Sequence, residues 1–162
     1  MKLQNKIIAT TAIVTGLTVG GSVLATDEAF NVTMSLITPI VITETQALSF
    51  ANTSQGSAAT VVTAPTDGTA AIFSATGAAS TAVTGSVVEA SITMTTGDGV
   101  GTTKQITVDT FATGGDMDGA GAATFDGTGN LSNLRIGATA NVEAEDIAGA
   151  YSGTATFRLV YQ

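Results

Sequence analysis

Neither cysteine nor histidine occurs anywhere in the 162 residues, and tryptophan is absent as well. Without cysteine there is no disulfide, no thiol nucleophile and no thiolate ligand. Without histidine the usual general base and the usual zinc and copper ligand are gone too. A Ser-His-Asp or Cys-His arrangement is therefore impossible. Positive charge is nearly as scarce: five Lys and Arg stand against 13 Asp and Glu, for a formal net charge of −8. Phosphate backbones and anionic membrane surfaces repel such a chain, so no nucleic-acid partner is expected. With aromatics at only 5%, Ala, Thr, Gly and Ser carry most of the sequence, and packing must come from thin, closely spaced elements.

Long apolar runs are missing except at the N-terminus. Lys2 and Lys6 make a positive start, Ile7 to Val19 is apolar apart from Thr and Gly, and Val23-Leu24-Ala25 offers small or apolar residues for a signal peptidase. Residues 1–25 are read as a signal peptide cleaved after Ala25. The run is short for a stable span, so no membrane span is expected after cleavage. The expected location is outside the cell, secreted or on the cell surface, reached through the periplasm. An exported chain without cysteine has no disulfide to support it and depends on packing and pairing alone.

Beyond the leader, every periodic segment has the two-residue period of a strand. Phe30-Asn31-Val32-Thr33-Met34-Ser35-Leu36 is the cleanest, with four large apolar residues alternating with Asn, Thr and Ser. Thr38-Pro39 interrupts it, because proline cannot donate to a ladder. Strands are then expected at Ile40–Thr43, Leu48–Phe50, Ala59–Thr63, Ala70–Thr76, Gly85–Met94, Gln105–Phe111, Ala122–Phe125, Asn133–Val142 and Thr154–Tyr161. Turn chemistry separates them at Pro65-Thr66-Asp67-Gly68, Gly97-Asp98-Gly99 and Asp126-Gly127-Thr128-Gly129-Asn130. Many short strands without intervening helices indicate an all-β sandwich. The expected organisation is a signal peptide over 1–25, an N-terminal extension over 26–36 and one β-sandwich domain over 37–162.

Sites for chemistry are few. Lys104 has no motif around it and reads as a solvated strand-edge residue. Asp116 and Asp118, in Gly114-Gly115-Asp116-Met117-Asp118-Gly119, resemble part of a calcium loop but lack its remaining spaced oxygens and its terminal Glu. They are the best candidate metal ligands, with an acidic surface loop as the plainer reading. No phosphate-binding glycine pattern occurs. The chain is read as a non-enzyme with no cofactor.

Two alternating segments remain, at opposite ends of the chain. Phe30, Val32, Met34 and Leu36 form one face of the first, which is either the opening strand of its own sheet or a donor strand that adds to the open sheet edge of another copy. At the other end, Ala155, Phe157, Leu159 and Tyr161 fall on one side of an extended segment and Thr154, Thr156, Arg158 and Val160 on the other. This strand either closes the sheet or borders a gap that something else must close.

The ending Gly149…Ala155-Thr156-Phe157-Arg158-Leu159-Val160-Tyr161-Gln162 resembles that of chaperone–usher pilins, with a Gly fourteenth from the end, alternating apolar residues and a penultimate Tyr. The resemblance implies an immunoglobulin-like, pilin-like sandwich, either complete in itself or incomplete and completed by donor-strand exchange. Gly149, Ala155, Phe157, Leu159 and Tyr161 would then belong to the strand that flanks the acceptor groove, and a periplasmic chaperone and an outer-membrane usher would be partners. Most of residues 37–162 is also similar to the bacterial family known as domain of unknown function 4402. That similarity rests on Leu48-Ser49-Phe50, Leu134-Arg135-Ile136-Gly137-Ala138-Thr139 and Gly149-Ala150-Tyr151-Ser152-Gly153-Thr154. The expected function is a structural subunit polymerising with copies of itself into a fimbria-like surface fibre. The alternative is a monomeric secreted β-sandwich that binds a ligand, a matrix component or Ca²⁺.

Overall fold

The computed structural model describes residues 27–162, so the signal peptide assigned to 1–25 lies outside the described residues. The chain divides into two units, Met1–Ser35 and Leu36–Gln162. Described residues before Val41 form no strand, including the alternating Phe30–Leu36 segment. The second unit holds nine strands: β1 Val41–Gln46, β2 Ala59–Thr63, β3 Ala71–Thr76, β4 Ala82–Val87, β5 Ser91–Thr95, β6 Gln105–Gly115, β7 Ala122–Thr124, β8 Asn130–Val142 and β9 Phe157–Tyr161. One 3-10 turn, Thr102–Lys104, precedes β6.

The strands form two antiparallel sheets that pack as a β-sandwich. The first runs β1-β3-β8-β6-β5, with β2 also on β8; the second runs β7-β4-β9. Strand β8 organises the larger sheet. Its first half pairs with β3 and its second half with β2, while β6 lines its other side. Leu134, Ile136, Ala138, Ala140 and Val142 alternate along β8 and are all buried on the inner face.

Two bulges extend this pattern beyond what alternation alone reveals. Between Phe73 and Ala75 the β3–β8 register shifts, so Leu131 and Leu134, three apart in sequence, are both buried. This is why β8 starts at Asn130, three residues before the expected Asn133. In β6 the register shifts between Asp109 and Ala112, and Thr110 at the shift has a positive φ of 51°. The shift brings Phe111 into the same packing as Ile106 and Val108.

Three other expectations are corrected. Gly85–Met94 is two strands, β4 and β5, in different sheets, because the chain crosses the sandwich at Val88–Ala90. Leu48–Phe50 is not a strand: Leu48 and Phe50 pack on the core, while the Ser49 N–H donates to Thr69 O at 2.9 Å and its carbonyl accepts from the Thr63 hydroxyl at 3.1 Å. The last strand begins at Phe157 rather than Thr154.

The core is modest. Its largest fully buried side chains are Phe125, Leu134, Val83 and Val108. The Phe125 ring lies 6.1 Å from that of Tyr161, and its N–H reaches Thr81 O at 3.1 Å, so one residue ties the β7 end of the small sheet to β9. Arg135 clamps the Pro65–Gly68 turn by donating to the carbonyls of Pro65 and Asp67. Gly137 beside it is required by close approach: a Cβ there would sit 2.3 Å from Thr63 O. Replacing Phe125 by Ala should cost about 3–5 kcal/mol, from lost burial plus the cavity left behind. Urea denaturation would show this as a lower midpoint with an unchanged slope, and a cost below about 1 kcal/mol would mean that Phe125 does not anchor the core.

Candidate functional site

The six phenylalanines mark the site. Phe125 is buried, Phe30 is exposed, and Phe50, Phe73, Phe111 and Phe157 are all half-buried around one cleft. This cleft has a volume of about 290 Å³ and lies between the sheets. One rim is Glu44, Ala47 and Leu48, at the end of β1; the other is Gly153–Phe157, where the chain approaches β9. Two of its lining rings, Phe73 and Phe157, stack directly on each other, with centroids 4.8 Å apart and planes at 27°. Apolar ring surface left in contact with water is a standing cost that an added apolar partner would relieve.

Each rim adjoins a sheet edge, β1 at Glu44 and β9 at Phe157. Strand β1 pairs only with β3, and β9 only with β4. They approach without a ladder between them at the end away from the cleft, where the Tyr161 hydroxyl donates to Thr38 O at 2.6 Å and accepts from the Ala78 N–H at 2.7 Å. The orientation of β9 follows from its register. Val88 N–H donates to Thr156 O at 2.9 Å and Gln162 N–H to Ala82 O at 3.1 Å, so even-numbered residues turn their backbone groups toward β4. The N–H and C=O groups of Phe157, Leu159 and Tyr161 therefore point to the open side, while their side chains pack on the core. That is the presentation a strand-adding peptide uses.

The approach to β9 is itself held in place. Ser152 pairs with Thr95 at the edge of β5, through hydrogen bonds of 2.8 and 3.0 Å. The chain then crosses from the large sheet to the small one over Gly153–Thr156. Glu89 catches it on the far side, its carboxylate accepting from the Thr156 N–H at 2.8 Å. Gly149 precedes the bridge; a Cβ there would lie 2.5 Å from the Thr96 hydroxyl oxygen. Of the expected groove residues, Phe157, Leu159 and Tyr161 stand in the edge strand, Ala155 lies on the cleft rim before it, and Gly149 shapes the loop upstream. Sequence reading missed Glu89, whose partner is 67 residues away, and the β1 rim at Glu44 to Leu48, whose role appears only in the fold.

Asp116 and Asp118 are turned onto their own backbone. Asp116 Oδ2 accepts from the N–H groups of Ser132 and Asn133, and Asp118 Oδ1 from Ala120 and Ala122 at 2.8 Å each. Among the described residues no three Asp, Glu, His or Cys gather as a metal cluster. Asp126 makes a similar turn clamp on Thr128 and Asn130, and those hydrogen bonds, the Asn130 N–H foremost, hold its carboxyl below the ordinary range.

Residues 37–161 match the family described as Domain of unknown function (DUF4402), which takes in the whole of the strand-bearing unit apart from its terminal residues. Comparisons with curated proteins and with solved structures find no match.

The hydrogen bond from Thr156 N–H also holds the Glu89 carboxyl below its ordinary value of 4.5. A lowered folded-state value means the tether is complete above the ordinary range and is lost as pH falls through the folded value. The Thr156 amide resonance should therefore titrate with a midpoint below 4.5. In Glu89→Ala that titration should vanish and the amide should exchange faster with solvent. An unchanged acid titration in the variant would show that Glu89 is not the tether.

Proposed function

The chain belongs to that family, whose description names no activity, and from the geometry of the cleft we propose that it is a structural subunit of an extracellular fibre, polymerising by donor-strand exchange. The Phe30–Leu36 segment of one copy lies in the apolar cleft of the next and pairs with the open edge of β9. One observation carries the reading: four half-buried phenylalanines line a cleft that lies beside two unpaired strand edges, β1 at Glu44 and β9 at Phe157.

The chemistry of the segment suits that role. Phe30, Val32, Met34 and Leu36 are 83, 80, 83 and 83% exposed, so a clean apolar face is left in water. Seven extended residues reach about 23 Å, enough to run along the five residues of β9, which span roughly 17 Å. Burying those four side chains is worth about 6–12 kcal/mol before the cost of ordering the segment, with ladder hydrogen bonds in addition. An exposed apolar cleft also needs cover before assembly. A periplasmic chaperone and an outer-membrane usher supply that cover in the pilins that the C-terminal strand resembles, and the same partners suit an exported subunit here. The surface is acidic, which favours solubility of the subunit and disfavours nucleic-acid partners.

A paired substitution tests this in the full chain. Val32→Asp with Met34→Asp places two charges on the donor face while touching no core residue, so circular dichroism and the melting temperature should match the parent. Assembly should be lost: filaments by negative-stain microscopy and high-mass species by size exclusion from the parent, monomers from the variant. Equal assembly by both proteins, or monomers from both, would remove donor-strand exchange and leave the self-contained binding module.

A further inference from the structure

A second cavity, of about 420 Å³, opens between the loop Asn52–Gln55 and the loop Asp146–Tyr151. Its floor is apolar, with Val61, Ile106, Ala140 and Val142 from β2, β6 and β8. Leu48, Phe50 and Met94 form its wall against the phenylalanine-lined cleft, so the two spaces are neighbours with different chemistry.

The unusual group is Asp146. It lines the cavity and is only 4% exposed. One carboxylate oxygen, Oδ2, accepts from the Glu143 N–H at 2.8 Å. The other, Oδ1, accepts from no protein group among the described residues, yet it is not sealed away, since no fully buried side-chain oxygen there lacks a partner. No Lys or Arg lines the cavity, and the one ion pair among the described residues, Lys104 with Asp98 at 2.6 Å, involves other groups. Oδ1 therefore meets solvent only by way of the cavity, and a charge beside apolar walls is screened less than one on the open surface. The ligand charge that complements it is positive.

The rest of the lining narrows the choice. Two aromatic rings, Phe50 and Tyr151, belong to it. The Tyr151 hydroxyl is committed to the Ile147 carbonyl at 2.8 Å, so the residue is fixed in place. Aromatic faces and a carboxylate attract the same ligand charge, and an apolar floor takes a hydrocarbon body. A neutral polyol could hydrogen-bond Oδ1 but would leave the charge uncompensated. The volume lies near the lower end of the range for small-molecule sites, which suits a compact amine and not a polymer. We infer that this cavity is a binding site for a small organic ammonium ion with an apolar body, its nitrogen on Asp146 Oδ1.

Isothermal titration of the full chain with n-hexylammonium chloride and with 1-hexanol tests the assignment. Saturable binding of the ammonium is expected, with the alcohol at least roughly tenfold weaker. Asp146→Asn keeps an acceptor for the Glu143 N–H and removes the charge; it should weaken the ammonium by roughly tenfold or more and leave the alcohol unchanged. Ser54→Trp at the exposed mouth should block both ligands without altering the melting temperature. The proposal is overturned if the parent does not bind the ammonium saturably, if the alcohol binds equally well, or if Asp146→Asn retains full affinity. Should Asp146→Asn fail to fold, full affinity in Ser54→Trp overturns it just as directly.

Discussion

Three strands cannot cover a sheet five strands wide. At about 4.8 Å per strand the smaller sheet is roughly 10 Å narrower than the larger one, and the inner face it leaves uncovered sets the rest of the structure. Loop residues Leu48, Phe50 and Tyr151 close part of the deficit over the β2, β6 and β8 end. The remainder is the cleft, where Phe73, Phe111 and Phe157 keep part of their ring surface exposed. With small residues filling most of the core, few large side chains are available to seal it from within.

The same deficit explains why the edges matter. An unpaired edge strand beside exposed apolar surface invites association, and proteins that avoid it cover the edge or place charge along it. Here Arg158 on β9 is exposed, Glu44 on β1 stands opposite Phe73 and lines the cleft as an inward-facing charge, and the backbone groups of Phe157, Leu159 and Tyr161 remain open. The Tyr161 hydroxyl on Thr38 ties the segment before β1 to the end of β9, and Glu89 on Thr156 fixes the approach to β9 beside β4. An acceptor edge already held in place has less to order on binding.

Much of this was legible in the residues. Alternation located β2 to the residue, because its turns are marked by Gly, Asp and Pro, and it gave nearly all of β3 and β7. It failed where the chain inserts a residue or changes sheet. At Ser132-Asn133 and at Thr110 a bulge restores the inward phase that simple alternation loses. At Val88–Ala90 a continuous β-rich run bends across the sandwich, and nothing in its composition marks the crossing. The edge strand Phe157–Tyr161 was visible from its period, but its neighbour across the cleft was not, because rims are assembled from residues about 110 apart. Asp146 was hidden for a related reason: in sequence it is one more acid in a Gly- and Ala-rich loop, and only burial separates it from the solvated carboxylates.

Because the chain has no cysteine, a single engineered pair reports on strand exchange without interference. Met34→Cys and Thr154→Cys, combined in one full-length chain and oxidised, place one thiol on the donor face and one on the cleft rim. Exchange between copies predicts a covalent ladder of dimers, trimers and higher species on non-reducing gels, collapsing to monomer with reductant. A disulfide formed within the monomer, with no ladder, would show that the segment folds back on its own domain and would contradict the account.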